Sequence, residues 1–290
     1  MRYSPKNDYF RRRNIIYYQM QPNFKIKDWV NDLQKKGKLF FSLEDVGMAN
    51  PDILPTGVSS ALKRLSTKGS ITSVWKGYYV IVPLSYAVNG ILPPIMYIDS
   101  LMQELQRKYY IGLLNAAAFY GASHQQPQAF SVFIQRPTLR DSQKKKINIQ
   151  FICRNKFPSE DLLQKHKTQT GYVTISNAIL TAADIIQYEK EIGGLNRACK
   201  VLNDLVEVLD FKNLSSSFFE FVSVSTIQRL GYLLEYVIEQ VDLANILFEK
   251  AIEAGCNFQP IALKNRKSTE NCIQDKKWKI IINTEIEIDD

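Results

Sequence analysis

The chain has 290 residues, 45% hydrophobic, 11% aromatic and 23% charged, a globular mixture that excludes a disordered, collagen-like or coiled-coil chain. The net charge is +8, and the whole excess lies in the first third: residues 1–94 carry 14 basic and 6 acidic side chains, residues 95–290 carry 23 of each. A basic module joined to a neutral one points to a first part that meets a polyanion and a second part with another task.

Residues 1–22 read as a basic, aromatic-rich arm, with Arg11, Arg12 and Arg13 beside Tyr9, Phe10, Tyr17 and Tyr18. Such an arm is either a partly ordered tail or a reach toward DNA phosphates and the minor groove. It holds no apolar core followed by a small-residue cleavage site, so it is not a secretory signal. No apolar run approaches the ~20 residues needed to span a bilayer. A soluble, cytoplasmic protein with no membrane association is expected.

Residues 23–88 are expected to form one small domain. Ile26, Trp29, Val30 and Leu33 recur at helical spacing between Lys25 and Lys36. The apolar run Leu39-Phe40-Phe41 follows, and then Ser42, an N-cap with Asp45 three residues on, opens a short helix from Leu43 to Ala49. Pro55 and Thr56 open a third helix, with Val58, Leu62 and Leu65 as its apolar stripe. Ile71–Trp75 and Tyr78–Val82 flank Lys76-Gly77, which predicts a hairpin. Helix, strand, helix, helix, hairpin is the order of a winged helix-turn-helix. The third helix would lie in a major groove, with Thr56, Ser59, Ser60, Lys63 and Arg64 toward the bases and Lys68 and the wing-tip Lys76 on phosphates. Some winged helices bind protein instead, but the charge excess lies in this same segment.

The stretch 89–94, Asn-Gly-Ile-Leu-Pro-Pro, reads as a linker. Residues 95–290 then read as a larger α+β domain with a helical C-terminal part. Helices are expected at Leu101–Lys108, capped by Ser100, and at Ile111–Tyr120; strands at Phe130–Gln135 and Ile147–Cys153 around a basic Arg140–Lys146 turn, given no role by default but left as a local exception to the second part's neutral charge, and at Gly171–Ile175. Ser176 would cap a helix from Ala178 to Tyr188. Further helices are expected at Leu195–Leu209, Phe218–Gln240 and Leu243–Ala254, and one or two strands at Trp278–Ile288.

Active-site motifs are missing. There is no phosphate-binding glycine loop, no G-x-S-x-G and no H-E-x-x-H. Cys153, Cys199, Cys256 and Cys272 have no paired metal-binding spacing and are expected reduced, with no metal and no cofactor. His124, in a polar loop, is a candidate base without an evident nucleophile beside it. Asp184 is either catalytic or, as an Asp on a helix more often is, solvated or paired with a base, and Arg229, inside an apolar helix, is expected to pair with an acid such as Asp184 or Glu235. Glu160-Asp161 reads as a helix start.

The string from Tyr109 to Ala118, YYIGLLNAAA, and Gly121 to Gln128, GASHQQPQ, resemble the AbiEi family of type IV antitoxins. Gly171-Tyr172-Val173, Thr181–Asp184, Gly193-Gly194-Leu195 and Gln228–Glu235, QRLGYLLE, are similar to that family in the same order. So are Leu54-Pro55 and Trp75–Tyr79 in the first domain. The resemblance covers roughly residues 25–260; the arm and the tail after Gly255 depart from it. It implies a bacterial abortive-infection antitoxin whose winged helix binds and represses its own promoter, on inverted repeats, as a monomer or dimer. The second domain would oppose a nucleotidyltransferase-like toxin without a stable complex. His124, Gln125, Gln126 and Arg229 become candidate residues of that antitoxin domain, and no catalytic residue is implied. Two alternatives remain open at this point: a nuclease or nucleotidyltransferase-like enzyme delivered to DNA, and a plain transcription factor with a dimerisation or ligand domain.

Overall fold

The computed structural model describes residues 25–122, 127–144 and 147–287. The arm at 1–22 and the residues His124, Gln125 and Gln126 lie outside them. The fold is α+β. The chain divides into two compact units. One takes in the described residues up to 106 with 141–149 and 167–172, and the other takes in 107–140, 150–166 and 173 onward.

The first unit begins with α1 (Ile26–Lys35), β1 (Phe40–Ser42), α2 (Leu43–Ala49), α3 (Pro55–Thr67), β2 (Ile71–Trp75) and β3 (Tyr78–Ile81). The strands form an antiparallel sheet in the order β1-β3-β2. This is the topology of a winged helix-turn-helix. Local signals account for each boundary. The Ser42 hydroxyl accepts from the Asp45 amide at 3.0 Å, and the Asp45 carboxylate accepts from the Ser42 amide at 2.8 Å, a capping box completed by Asp in place of Glu. Pro55, with no amide hydrogen to lose, sits in the first turn of α3. The apolar stripes of the helices meet over one core containing Trp29, Val30, Phe41, Val46, Leu62 and Ile71, and Trp29 packs edge-on against Phe41. The 89–94 stretch is more than a tether. Ile91 and Leu92 are buried, and the Thr72 hydroxyl donates to the Gly90 carbonyl.

After α4 (Ile98–Glu104) come β4 (Tyr109–Ile111), α5 (Leu113–Ala117), β5 (Phe130–Gln135), β6 (Ser142–Lys144), β7 (Ile147–Arg154), β8 (Leu163–Thr168) and β9 (Gly171–Ser176). They build a mixed sheet in the order β6-β7-β5-β4-β9-β8, with β4 antiparallel to β5 and parallel to β9. The helices α6 (Ala178–Gln187), α7 (Leu195–Leu205), α8 (Ser216–Phe221), α9 (Val224–Tyr236) and α10 (Val241–Glu253) follow, and then two short parallel strands, β10 (Ile261–Ala262) and β11 (Ile280–Ile281). Helix α6 is central to the second unit's core. Leu180, Ala182, Ala183, Ile185 and Ile186 are all buried, and α6 packs on α5, α7 and α9.

Several expected elements shift. The helix expected from Ile111 to Tyr120 is instead strand β4 followed by α5, because the chain breaks at Gly112. A Cβ there would come within 2.4 Å of the Phe133 ring, and Leu113 follows with φ of +54°. Ser100 lies inside α4 rather than capping it. Asn177, not Ser176, caps α6 by accepting from the Leu180 amide, and the Ser176 hydroxyl instead pairs with that of Thr181. The segment 218–240 is two helices, because Val222 is extended and Ser223 starts a new cap. Glu160–Leu162 is a single 3-10 turn. Of the strands expected at Trp278–Ile288, the described residues hold Ile280–Ile281, which pairs with β10 and bridges Gln274.

Candidate functional site

Helix α3 presents one face to solvent. At about 100° per residue, Val58, Leu62 and Leu65 form the buried stripe, and Thr56, Ser60, Lys63, Arg64 and Thr67 fall within roughly 55° of the opposite line. Ser59 and Lys68 stand at its flanks. All of these residues are exposed. Thr67 was not singled out from the sequence. It sits one turn beyond Lys63, and its hydroxyl donates to the Lys63 carbonyl at 2.9 Å.

The wing is the β2–β3 hairpin, turned at Lys76-Gly77 beyond the Trp75–Tyr78 pair. Lys76 is exposed at its tip. Tyr78 stacks on Phe40, and Tyr79 on Phe41, which ties the hairpin to β1. From Asp52 to Asp99 the chain has no acidic residue between, while Lys63, Arg64, Lys68 and Lys76 all fall inside that stretch. Among the described residues none of these four is in an ion pair. The surface therefore carries uncompensated positive charge beside short polar side chains, a composition suited to phosphates and base edges.

Of the second unit's candidates, Arg229 and Asp184 lie among the described residues, and no ion pair joins them. Among the described residues Arg229 forms no ion pair with Asp184 or Glu235, the acids expected for it; burial lowers the guanidinium, and the charge of Glu189 acts against that. The Arg229 guanidinium donates to the carbonyls of Ala262 (2.9 Å) and Leu263 (3.1 Å) and to the Asn265 side chain (2.7 Å). The acids expected for it have other partners. Glu235 accepts from Lys277 Nζ at 2.6 Å and from Trp278 Nε1 at 2.8 Å. Burial pushes the Glu235 carboxyl up, but these hydrogen bonds outweigh it and hold the group below the ordinary glutamate value.

The same helix grips the tail at two further points. Gln228 Nε2 donates to the carbonyls of Gln259 and Trp278. A Cβ on Gly231 would lie 2.1 Å from the Trp278 ring, so only glycine admits this fully buried indole. Gln228, Arg229, Gly231 and Glu235 thus all serve to hold residues 259–281.

Asp184 pairs with Arg154, a residue the sequence reading missed. Tyr110 donates to the other Asp184 oxygen at 3.0 Å. The pair is buried, and the guanidinium lies over the rings of Phe133, Tyr188 and Phe221 at 4.6–5.1 Å. Burial pushes the Asp184 carboxyl up, to about 6, and Arg154 and Tyr110 limit that rise. Burial alone would lower Arg154, but Asp184 reverses the effect and keeps it charged. Alternation along β7 turns Ile149 and Phe151 inward and would turn residue 154 outward, so the pattern gave no sign of a buried arginine.

Among the described residues no three or more His, Cys, Asp or Glu side chains gather in a way that would hold a metal ion. The four cysteines are free, and burial pushes the Cys199 thiol up to about 12. No described helix is long and apolar enough to cross a membrane.

Residues 110–236 match the family described as the AbiEi antitoxin C-terminal domain. The family resemblance read from the strings at 109–128 and 228–235 is borne out by that match. None of the curated proteins matches the chain. The crystal structure of the RV2827C protein from Mycobacterium tuberculosis has a similar fold, with a TM-score of 0.62 at 15% identity over 87% of this chain and 89% of that one.

Proposed function

We propose, from the premise that residues 110–236 form an AbiEi antitoxin C-terminal domain, that the chain is an antitoxin that also represses its own promoter. The exposed face of α3 and the Lys76 wing would hold double-stranded DNA, with Thr56, Ser59, Ser60, Lys63 and Arg64 toward the major groove and Lys68 and Lys76 on phosphates. The observation that carries the DNA half is the acid-free stretch between Asp52 and Asp99, with four cations on the exposed side of a winged helix that are in no ion pair among the described residues. Inverted half-sites suit so small a reading surface, because two copies double the base contacts. The antitoxin half follows from the family of the second domain. Its target is a nucleotidyltransferase-like toxin, opposed in the cytoplasm without a lasting complex, and the chain acts as a regulator rather than an enzyme.

Binding to the DNA upstream of its own reading frame tests the first half. Lys63→Ala with Arg64→Ala is expected to weaken that binding by at least tenfold, since each base contact contributes about 1–3 kcal/mol. Unchanged affinity in a folded double variant would sink the assignment of α3.

A further inference from the structure

We propose that the β6–β7 hairpin acts as a second wing, placing Lys144 on the DNA backbone beside the wing that carries Lys76. The proposal rests on the DNA-binding reading above. Residues 141–149 belong to the same compact unit as the winged helix. Ser142, the first residue of β6, is buried, and its hydroxyl donates to the Val74 carbonyl at 2.7 Å. Val74 is in β2, two residues before Lys76. The hairpin is therefore fixed against the first strand of the wing, although it is distant in sequence.

Side chains alternate along a strand, so Lys144 shares the face of Ser142, the face turned to β2. Lys144 is exposed, and among the described residues it is in no ion pair. An exposed lysine on a merely solvated hairpin needs no anchor, whereas this hairpin is held by a buried hydrogen bond to β2. Two residues of strand on either side of the Ser142–Val74 contact, at ~3.3 Å per residue, keep the backbones at Lys144 and Lys76 within about 20 Å. That is less than the ~34 Å of one DNA turn, so the spacing allows both cations to reach phosphates of one duplex. The neutral total of residues 95–290 conceals this contribution.

The test is titration of the full chain onto two 30-base-pair duplexes, one from upstream of its reading frame and one scrambled, across a range of salt. Lys144→Ala is expected to lower affinity about 5–10-fold at about 0.1 M salt, equally on both duplexes, and to reduce the salt slope by about one. Thermal melting of the variant should match the wild type, and Lys212→Ala, on an exposed lysine of the other unit, should leave affinity and slope unchanged. If Lys144→Ala binds like the wild type while Lys63→Ala with Arg64→Ala is weakened, the hairpin makes no contact and the DNA reading stands. Equal losses for Lys144→Ala and Lys212→Ala reduce the effect to net charge and overturn the second wing. If the wild-type chain binds neither duplex, the DNA-binding reading itself fails, and the second wing with it.

Discussion

At the scale of single residues, the most consequential feature is the buried Asp184–Arg154 pair. Two charges removed from water are costly, and their mutual attraction recovers that cost only while both are present. Asp184→Ala leaves the guanidinium among Phe133, Tyr188 and Phe221 with no counter-charge, and Arg154→Ala leaves a buried carboxylate. Each single variant is expected to lose about 3–5 kcal/mol in urea unfolding. The double variant Arg154→Met with Asp184→Leu should lose much less than the sum, because neither charge is then stranded. Additive losses would show that the pair is not coupled. That Asp184 is paired with a base was one of the readings its place on a helix allowed, beside a catalytic and a solvated one, and its full burial excludes the solvated one. Its partner was not legible, because Arg154 breaks the alternation of its strand. Asp161 is a milder case at the surface. Hydrogen bonds from Ser159, Ser215 and Ser217 hold its carboxyl down to about 2. A lowered carboxylate stabilises the fold above its unfolded value, and that contribution fades as pH falls from about 4 toward 2. In an NMR titration the Asp161 midpoint should rise toward the ordinary aspartate value in Ser215→Ala with Ser217→Ala. A midpoint that stays near 2 would exclude those hydroxyls as the cause.

At the scale of elements, helix α9 explains why the string QRLGYLLE is worth recognising, and the reason lies outside the string. Gln228 and Arg229 take tail carbonyls, Glu235 takes Lys277 and the Trp278 indole, and Gly231 gives that indole its seat. Residues 259–281 thus complete the core around Trp278, which also packs against Phe248 and Phe258. Gly231→Ala is expected to destabilise the protein by about 1–3 kcal/mol, the range for overpacking, and to expose the tail to limited proteolysis. Helix propensity alone predicts the opposite sign, since alanine is the better helix former, so the melting temperature decides between packing and propensity. The periodicity of α9 was legible in its apolar residues. The use of its polar ones was not, because hydrogen bonds to a segment dozens of positions away leave no local pattern. Strand β8 was hidden for a related reason: LQKHKT has no apolar alternation, and pairing in the sheet defines it. Helix α3 is the contrasting case, where stripe, proline start and polar face were all local and all present in the structure.

At the scale of the whole molecule, the uneven charge distribution is what the two proposed tasks would require, with the whole excess in residues 1–94. The first unit was legible because caps, turns and helical stripes are short-range signals. The second was legible mainly as a family, since its sheet order and its tail depend on contacts far apart in sequence. If DNA binding and toxin antagonism are carried by different residues, they separate genetically. Lys63→Ala with Arg64→Ala, made in the full chain, changes two exposed side chains and removes no core contact. It is expected to release a reporter driven by the upstream promoter while still restoring growth to cells expressing a nucleotidyltransferase-like toxin that the wild-type chain counters. Asp184→Ala should fail in both assays, because it acts through stability rather than through either surface. A Lys63/Arg64 variant that is folded and abundant yet cannot restore growth would show that antitoxin action runs through the DNA-reading face, and the division of tasks would fall.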